Sequence, residues 1–156
     1  MTKLVKIKLL SNALFSNASG DGLIDLDSIS DEFGIFYIPS KRIKGALRES
    51  ATEILEMQNL ASDEIERQIN TLFGTAKNDG LIELFDAHLE NFDFYKKLSL
   101  EFGRNSILNL NSLILNQTSL DDNGVAKDGY LRKLRVIKSG LVFEMKIILK
   151  DENLKT

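Results

Sequence analysis

Two carboxylates in the first third of the sequence have the spacing of a metal site. Asp25 and Asp27 stand two residues apart in the acidic segment GDGLIDLDSISDEFG, so in an extended backbone they point the same way. Such a pair can hold Mg²⁺ beside a phosphodiester, where the metal polarises the phosphoryl oxygen and stabilises the leaving group. The alternative is an acidic loop in water, which the residues alone favour.

A basic stripe follows on a predicted helix. Proline suits the first turn of a helix, and after Pro39 the apolar residues recur at helical spacing. At about 100° per residue, one stripe beside this apolar face carries Lys41, Lys44, Gly45 and Arg48. A glycine inside a helix costs roughly 1 kcal/mol relative to alanine. Either another backbone packs closely at Gly45, which the helix alone favours, or an anionic polymer lies there with Lys44 and Arg48 on its phosphates.

A second basic run lies near the end of the sequence and contains one tyrosine. Its members are Lys127, Tyr130, Arg132, Lys133, Arg135 and Lys138. In an extended backbone Lys133 and Arg135 share a face, and Tyr130 is available to stack on a base. An ordinary polar hairpin is the alternative. For the single histidine, His88, we expect a structural or exposed position rather than acid–base chemistry.

Hydrophobic periodicity predicts the elements that position these groups. Alternating patterns predict strands over residues 3–10, 81–89, 133–137 and 141–149. One helix is predicted to begin at Pro39, and a second over residues 63–73, with Ser62 as its N-cap and Gly74 as its stop signal.

The order of these elements favours an α+β fold in one domain over residues 1–156. We expect an antiparallel sheet with helices on one face. Residues 90–130 predict a long mobile insertion, because residues 105–117 are asparagine-rich and residues 118–130 carry two turn signals. A split βαβ domain needs one more helix and a closing strand, so this domain is expected to be incomplete. An unpaired sheet edge would then favour self-association.

Composition excludes several functional classes. The chain has 156 residues, of which 43% are hydrophobic and 28% charged, as in an ordinary globular protein. The absence of cysteine excludes disulfides, thiolate zinc sites and cysteine nucleophiles. No run approaches the ~20 apolar residues that cross a bilayer, so we expect a cytoplasmic protein without a membrane partner. The net charge of −3 argues against broad nucleic-acid affinity but permits a local basic track.

Four stretches, in this order, resemble the RAMP superfamily of CRISPR-associated proteins. They are GLIDLDSISDEFGIFYIPSKRIKGALRE, then LFG at residues 72–74, then GLIELFDAHL at residues 80–89, and QTSLDDNGVAKDGYLRKLRVIKSGLVFEMKI at residues 117–147. The resemblance covers roughly two-thirds of the chain. Within the superfamily they are most similar to the backbone subunits of type III effector complexes, which grip the guide RNA.

The resemblance implies a ferredoxin-like, RRM-like fold assembled into a multisubunit ribonucleoprotein. It places Lys44, Gly45 and Arg48 on guide RNA. Residues 117–136 correspond to a thumb-like hairpin that wedges between guide and target bases. Asp25 corresponds to the aspartate with which target-cleaving members cut bound RNA, using a divalent metal.

The sequence also departs from the family pattern. Ser40 replaces the glycine that usually follows the Ile-Pro motif, and the glycine-rich loop near the C-terminus has no counterpart. Family members are usually longer, which suggests an N-terminal part or a shortened relative.

We therefore predict a guide-RNA-binding subunit of a type III CRISPR effector complex, with guide RNA, target RNA and other effector subunits as partners. The predicted RNA-binding residues are Lys41, Lys44, Gly45, Arg48, Tyr130, Arg132, Lys133 and Arg135. The sequence leaves open whether the chain is also a metal-dependent endoribonuclease, with Asp25 catalytic and Mg²⁺ held by Asp25 and Asp27. The alternatives are a non-catalytic scaffold of the same assembly and an unrelated metal-dependent phosphoesterase.

Overall fold

The structure, a computed structural model, describes residues 1–16, 24–118 and 131–150. Within these ranges lie four helices, none of which is both long and apolar enough to span a membrane. They are α1 (Ser40–Met57), α2 (Ser62–Phe73), α3 (Phe92–Phe102) and α4 (Arg104–Asn111). The strands in the same ranges are β1 (Thr2–Lys8), β2 (Leu26–Asp27), β3 (Tyr37–Ile38), β4 (Ile82–Leu84), β5 (Ala87–Leu89), β6 (Ser112–Gln117), β7 (Arg132–Ile137) and β8 (Val142–Leu149).

The strands form two sheets. One has the order β1-β8-β5-β3, with β4 paired antiparallel to β8. The other has the order β2-β7-β6, in which β6 and β7 are antiparallel and β2 runs parallel to β7. The predicted α+β class with antiparallel pairing is therefore confirmed, and β2 adds a parallel pair that the sequence did not indicate.

The chain divides into two compact units. The first holds residues 1–6, 38–87 and 144–150 of the described ranges, and the second holds residues 7–16, 24–37, 88–118 and 131–143. That residues 1–156 act as one domain stays a prediction.

In the first unit, α1 and α2 pack on a small apolar core. Ile65, Ile69 and Phe73 recur every four residues along α2 and are buried, with Leu55 of α1 and Ile82 of β4 against them. This spacing puts one face of α2 inward, as its periodicity predicts. Helix α1 begins directly after Pro39, as expected, and Pro39 itself has an extended backbone (φ −61°, ψ 133°). The N-cap of α2 is Ala61, so the prediction of Ser62 as N-cap is wrong.

The chain closes tightly on itself at two glycines after α2. Gly74 has φ +78°, and a Cβ added there would collide with the backbone of Gly80 and Asn78. A Cβ at Gly80 would collide with the amide nitrogen of Gly74 and the carbonyl oxygen of Leu72. Only glycine tolerates such an approach at both positions. The five residues between the two glycines, Thr75–Asp79, form the loop called here the 75–79 loop.

The strand predicted over residues 81–89 is interrupted in the middle. The amide of Phe85 still donates to Lys146 O (3.1 Å), but Asp86 turns to α1, where its Oδ1 accepts the amide hydrogen of Ser40 (2.7 Å). A carboxylate at the first turn of a helix satisfies a free N–H and complements the helix dipole. Asp86 therefore fixes the start of α1, although it lies 46 residues after Ser40 in the sequence.

The second unit buries residues from both of its helices and from its sheet. The most fully buried large side chains there are Phe36, Phe143, Ile35, Ile107 and Ile137. The region predicted as a mobile insertion holds α3, α4 and β6 in its described part, and α4 turns Ile107 and Leu108 inward. Residues 119–130 of that region lie outside the described ranges.

The close backbone contact between Gly74 and Gly80 leads to a prediction about stability. We expect Gly80→Ala to lower the free energy of unfolding by about 2 kcal/mol or more, because backbone atoms must move to admit the methyl group. Gly45→Ala is the matched control: no atom outside its own helix lies within 4 Å of the added Cβ, so helix propensity should raise stability by about 1 kcal/mol. Urea unfolding of both variants measures the difference. Equal effects of the two substitutions would contradict the tight closure.

Candidate nucleic-acid interface

An open groove of about 560 Å³ runs between the first half of α1, the end of α2 and the 75–79 loop. All of its lining residues belong to the first unit. They are Lys41, Lys44, Gly45, Arg48, Glu66, Asn70, Phe73, Gly74, Thr75 and Ala76. The four residues predicted from the sequence as a basic stripe on α1 are thus brought together on one wall of a concave surface.

Lys41 and Lys44 carry charge that the described part of the chain does not neutralise. Lys41 is exposed, Lys44 is half-buried, and neither forms an ion pair with any described residue. They also line a smaller groove of about 250 Å³ that contains Asp79 and Glu83. Both of those acids are near Lys150, whose Nζ lies 3.9 Å from Asp79 Oδ2 and 3.5 Å from Glu83 Oε2. The two α1 lysines therefore present positive charge to solvent.

Gly45, which lines the groove with these two lysines, is bare. No heavy atom of the described residues, apart from its own helix, lies within 4 Å of the position that a Cβ would take. The interpretation favoured from the helix alone, that another backbone packs closely there, is wrong. The glycine leaves an unoccupied stretch of helix surface on the wall of the groove.

Arg48 is bound within the protein. Its Nη1 donates to the carbonyl oxygen of Gly74 (2.8 Å), and its Nη2 donates to Asn70 Oδ1 (2.6 Å). The guanidinium therefore joins α1 to the end of α2 and neutralises part of the negative end of that helix. A guanidinium has five N–H donors, so this arrangement leaves others for a ligand.

One acid marks the far side of the groove. Glu66 lines it beside Asn70, whose Nδ2 lies 3.5 Å from Glu66 Oε1. Negative charge at Glu66 disfavours an anion there, so the favourable region for a phosphate is the part next to Lys41 and Lys44.

The two predicted metal-binding aspartates belong to the second unit, where both bind β7. Asp25 exchanges two hydrogen bonds with Lys133: its amide donates to Lys133 O (2.9 Å), and its Oδ2 accepts the Lys133 amide hydrogen (2.6 Å). Asp27 Oδ2 accepts from Arg135 Nη1 at 3.0 Å, and these side chains are only 22% and 12% exposed. The two acids thus hold β2 against β7, at the base of the segment that continues into residues 119–130.

A metal site at these aspartates stays a prediction. Among the described residues, no three or more His, Cys, Asp or Glu side chains gather closely enough to hold a metal ion. Asp25 is exposed, with one carboxylate oxygen bonded to the Lys133 amide. Asp27 is committed to Arg135 through Oδ2, which leaves Asp25 as the carboxylate better placed to meet a ligand from solvent.

The second basic run separates into exposed and bound cations. Arg132 and Lys133 are exposed on β7, whereas Arg135 faces Asp27. Lys138 Nζ donates to Leu110 O (2.6 Å) near the end of α4, where a cation complements the helix dipole. Tyr130 and Lys127 lie outside the described residues.

His88 is exposed, as expected. Its ring lies 6.0 Å from the ring of Tyr37 and 5.7 Å from that of Phe92, centroid to centroid. These contacts are packing between rings at the surface. Among the described residues, they give His88 no partner for acid–base chemistry.

Sequence reasoning missed the 75–79 loop as part of the groove. The glycines at the two ends of this loop nevertheless stood in two of the motifs that indicated the family. The paired glycines at positions 74 and 80 were the available signal, because a close backbone approach commonly requires them.

Comparisons with known proteins identify a family and a fold. The family model of the RAMP superfamily matches residues 6–156. No match is found among curated proteins. A chain of the type III-B Cmr-beta bound to cognate target RNA, solved by cryo-EM, superposes with a TM-score of 0.73 at 11% identity, over 97% of this chain and 85% of that chain. A chain of the apo state of the type III-B Cmr-beta superposes with a TM-score of 0.72 at 12% identity, over the same shares.

The bonds of Asp25 and Asp27 predict different costs for similar substitutions. We expect Asp25→Asn to be nearly neutral for stability, because the amide oxygen still accepts the Lys133 N–H. Asp25→Ala should lower the free energy of unfolding by about 0.5–1.5 kcal/mol and speed hydrogen exchange at the Lys133 amide. Asp27→Asn should cost more than Asp25→Asn, since it leaves the Arg135 charge without its carboxylate. If Asn and Ala at position 25 behave alike, the hydrogen bond contributes nothing.

Proposed function

Because the chain belongs to the RAMP superfamily, we propose that it is a guide-RNA-binding subunit of a type III CRISPR effector complex. Three findings support this proposal: the family, the fold shared with chains of the type III-B Cmr-beta, and the charged groove on α1. The observation that carries it is the pair of lysines without ion-pair partners, Lys41 and Lys44, which line the groove together with the bare Gly45.

The chemistry of the groove suits the sugar–phosphate backbone of RNA. Lysine ammonium groups act as point charges on phosphates, and such contacts position an RNA without reading its sequence. A subunit that holds guides of differing sequence needs this kind of contact. The bare surface at Gly45 would let a phosphate approach the helix backbone beside the two cations, and Arg48 would add any donors that Gly74 and Asn70 leave free.

In the second unit, Arg132 and Lys133 would contact RNA on β7. Both side chains are exposed. Residues 117–136 would form the thumb-like hairpin, and the antiparallel pairing of β6 with β7, with Gln117 opposite Arg132, supports a hairpin base at this place. Tyr130 remains a proposed stacking residue. Arg135 would support this surface through its bond to Asp27.

Effector subunits and target RNA are the proposed partners, within the cytoplasm. Strand β6 has a neighbour on one side only among the described residues, and it exposes Leu113, Ile114 and Leu115 by 42%, 53% and 37%. An unpaired, apolar edge strand favours pairing with another chain. We propose this edge as the contact for a neighbouring subunit or a second copy. The same feature fits the alternative of a non-catalytic scaffold.

We also propose that target RNA is cleaved at Asp25. Mg²⁺ commonly binds proteins through one or two carboxylates together with substrate phosphates, so the exposed Asp25 could suffice on the protein side. When bound, the ion would polarise the scissile phosphoryl oxygen. Asp27 would act mainly by holding Arg135, although the sequence pattern also proposed it as a metal ligand.

The lysine pair gives the first test. We expect Lys41→Ala with Lys44→Ala to weaken binding of mixed-sequence single-stranded RNA roughly tenfold at low salt. The salt dependence should flatten, with its slope falling by about 1.4, because each lost phosphate contact removes about 0.7 for a single strand. Lys97→Ala on α3 is the matched control, as an exposed helical lysine that does not line the groove. Unchanged affinity and slope in the folded double variant would remove α1 from the RNA surface.

The carboxylate gives the second test. In the assembled effector complex, we expect Asp25→Asn to abolish metal-dependent cleavage of complementary target RNA and leave RNA binding nearly intact. The substitution keeps the acceptor for the Lys133 amide and removes the charge that a metal needs. Cleavage is measured with and without EDTA, with Asp31→Asn as the control. A wild-type complex that never cuts, or an Asp25→Asn complex that cuts at the wild-type rate, would make the protein a binding subunit only.

A further inference from the structure

The outer edge of β6 offers backbone hydrogen-bonding groups as well as apolar side chains. In an antiparallel pair of strands, residues that bond the neighbouring strand alternate with residues whose backbone groups point away from it. The Lys138 amide donates to Asn111 O (3.0 Å), one step beyond the paired residues of β6 and β7. Counted from this bonded pair, every second residue of β6 points away from β7, and these residues include Ile114 and Asn116.

The bonds on the other side of β7 agree with this alternation. Lys133, which pairs with Asn116, accepts the Asp25 amide hydrogen at its carbonyl oxygen (2.9 Å) and donates its own to Asp25 Oδ2 (2.6 Å). Ile137 exchanges two backbone bonds with Ala13 (2.7 and 3.0 Å). Both residues of β7 therefore turn their backbone groups away from β6, as the alternation requires.

The edge is open to pairing with a further strand. The N–H and C=O groups of Ile114 and Asn116 form no hydrogen bond within the described ranges. The side chains of Leu113, Ile114 and Leu115 are exposed beside them. Proteins commonly protect an edge strand with a charged residue or a proline, and β6, with the sequence SLILNQ, contains neither.

The side chains restrict which strand fits this edge. Leu113 and Leu115 point to one face of the sheet, where they lie opposite the buried Val136 and Leu134 of β7. Ile114 points to the other face. An added strand continues the apolar face if its own residues there are apolar, and the edge carries no charge that would select a charged segment. Strand β6 itself has both properties, apolar residues at these positions and no charge.

We infer that two copies of this chain pair through β6, antiparallel, about a two-fold axis at Ile114, which rests on the proposed role of this edge as a protein contact and names its partner. Ile114 then faces Ile114 of the partner subunit and exchanges two backbone hydrogen bonds with it. Leu113 faces Leu115 of the partner subunit, so the exposed apolar residues of β6 meet apolar residues. Because both copies use the same edge, the assembly closes at two chains.

The contact is small, which determines how the dimer behaves. Stable complexes bury roughly 1,200 Å² of surface or more. Two strands of six residues, with three exposed apolar side chains each, bury less than that. The dimer therefore forms at high protein concentration and dissociates on dilution.

Sedimentation velocity of the full chain, freed of RNA and measured over a wide range of concentrations, tests this inference. The wild-type chain should shift from monomer to dimer as its concentration rises. Ile114→Lys and Ile114→Glu should each weaken dimerisation about tenfold or more, because like charges then stand opposite each other across the axis. Leu100→Lys is the control, since Leu100 is an exposed apolar residue on α3, outside β6, and this variant should dimerise as wild type.

A mixture of the two charged variants tests the register. Ile114→Lys and Ile114→Glu in equal amounts should recover dimerisation, because the axis then places opposite charges against each other. A mixture that stays as monomeric as each variant alone would overturn the pairing at Ile114. Single variants that dimerise as well as wild type would overturn the use of the β6 edge.

The outcomes also separate this dimer from the proposed function. A wild-type chain that stays monomeric at every concentration overturns the self-pairing and leaves the β6 edge to another effector subunit. That result does not affect RNA binding by the α1 lysines, because no RNA is present. Conversely, unchanged RNA binding in the Lys41/Lys44 double variant would overturn the α1 groove and leave the dimer intact.

Discussion

The first unit depends on a contact between two backbone segments so close that it leaves no room for a side chain. After α2 the chain returns on itself, and the amide and carbonyl groups around Gly74 and Gly80 lie where a Cβ would otherwise stand. This closure fixes the start and end of the 75–79 loop, and Arg48 ties the same point to α1 through the Gly74 carbonyl. The groove is the space left between the three elements. Its shape therefore follows from two glycines and one arginine, and its charge follows from the lysines that remain.

The cations of the chain divide between structural and solvent-facing roles. Arg48 and Arg135 use their forked guanidinium groups inside the fold, on a carbonyl and an amide in one case and on Asp27 in the other. Lys138 likewise serves the end of α4. Lys41 and Lys44 have no such partner among the described residues. A chain with a net charge of −3 can thus present a local basic surface, because a few unpaired lysines in a groove decide the local potential.

Local signals in the sequence predicted the elements that local physics determines. The start of α1 after Pro39, the stop of α2 at Gly74 and the strand β8 are all confirmed. The break between β4 and β5 was not predictable in this way, because Asp86 leaves the strand to cap a helix that begins 46 residues earlier. Helix α4 was not predicted because its asparagines have low helix propensity, and α3 was not predicted because its closely spaced apolar residues fit a helix or a strand.

In the candidate site, too, the sequence predicted what local geometry determines and not the contacts between distant residues. The sequence placed the α1 cations on one face, since helical geometry alone determines that, but it could not tell which of them are engaged. The partners of Arg48 and Asp27 come from residues far along the chain. The nature of Gly45 was misjudged for the same reason, because only the fold shows that its surface is bare. The family was predicted from four ordered motifs and is confirmed over residues 6–156.

Ultraviolet crosslinking of the protein to RNA, followed by mass spectrometry of the crosslinked peptides, tests the central claim most directly. The account predicts nucleotide adducts on the peptides that carry Lys41 and Lys44, and these adducts should disappear when salt is raised before irradiation. Adducts confined to other peptides, or an equal yield of α1 adducts at high salt, would contradict the assignment of the α1 groove as the RNA-binding surface.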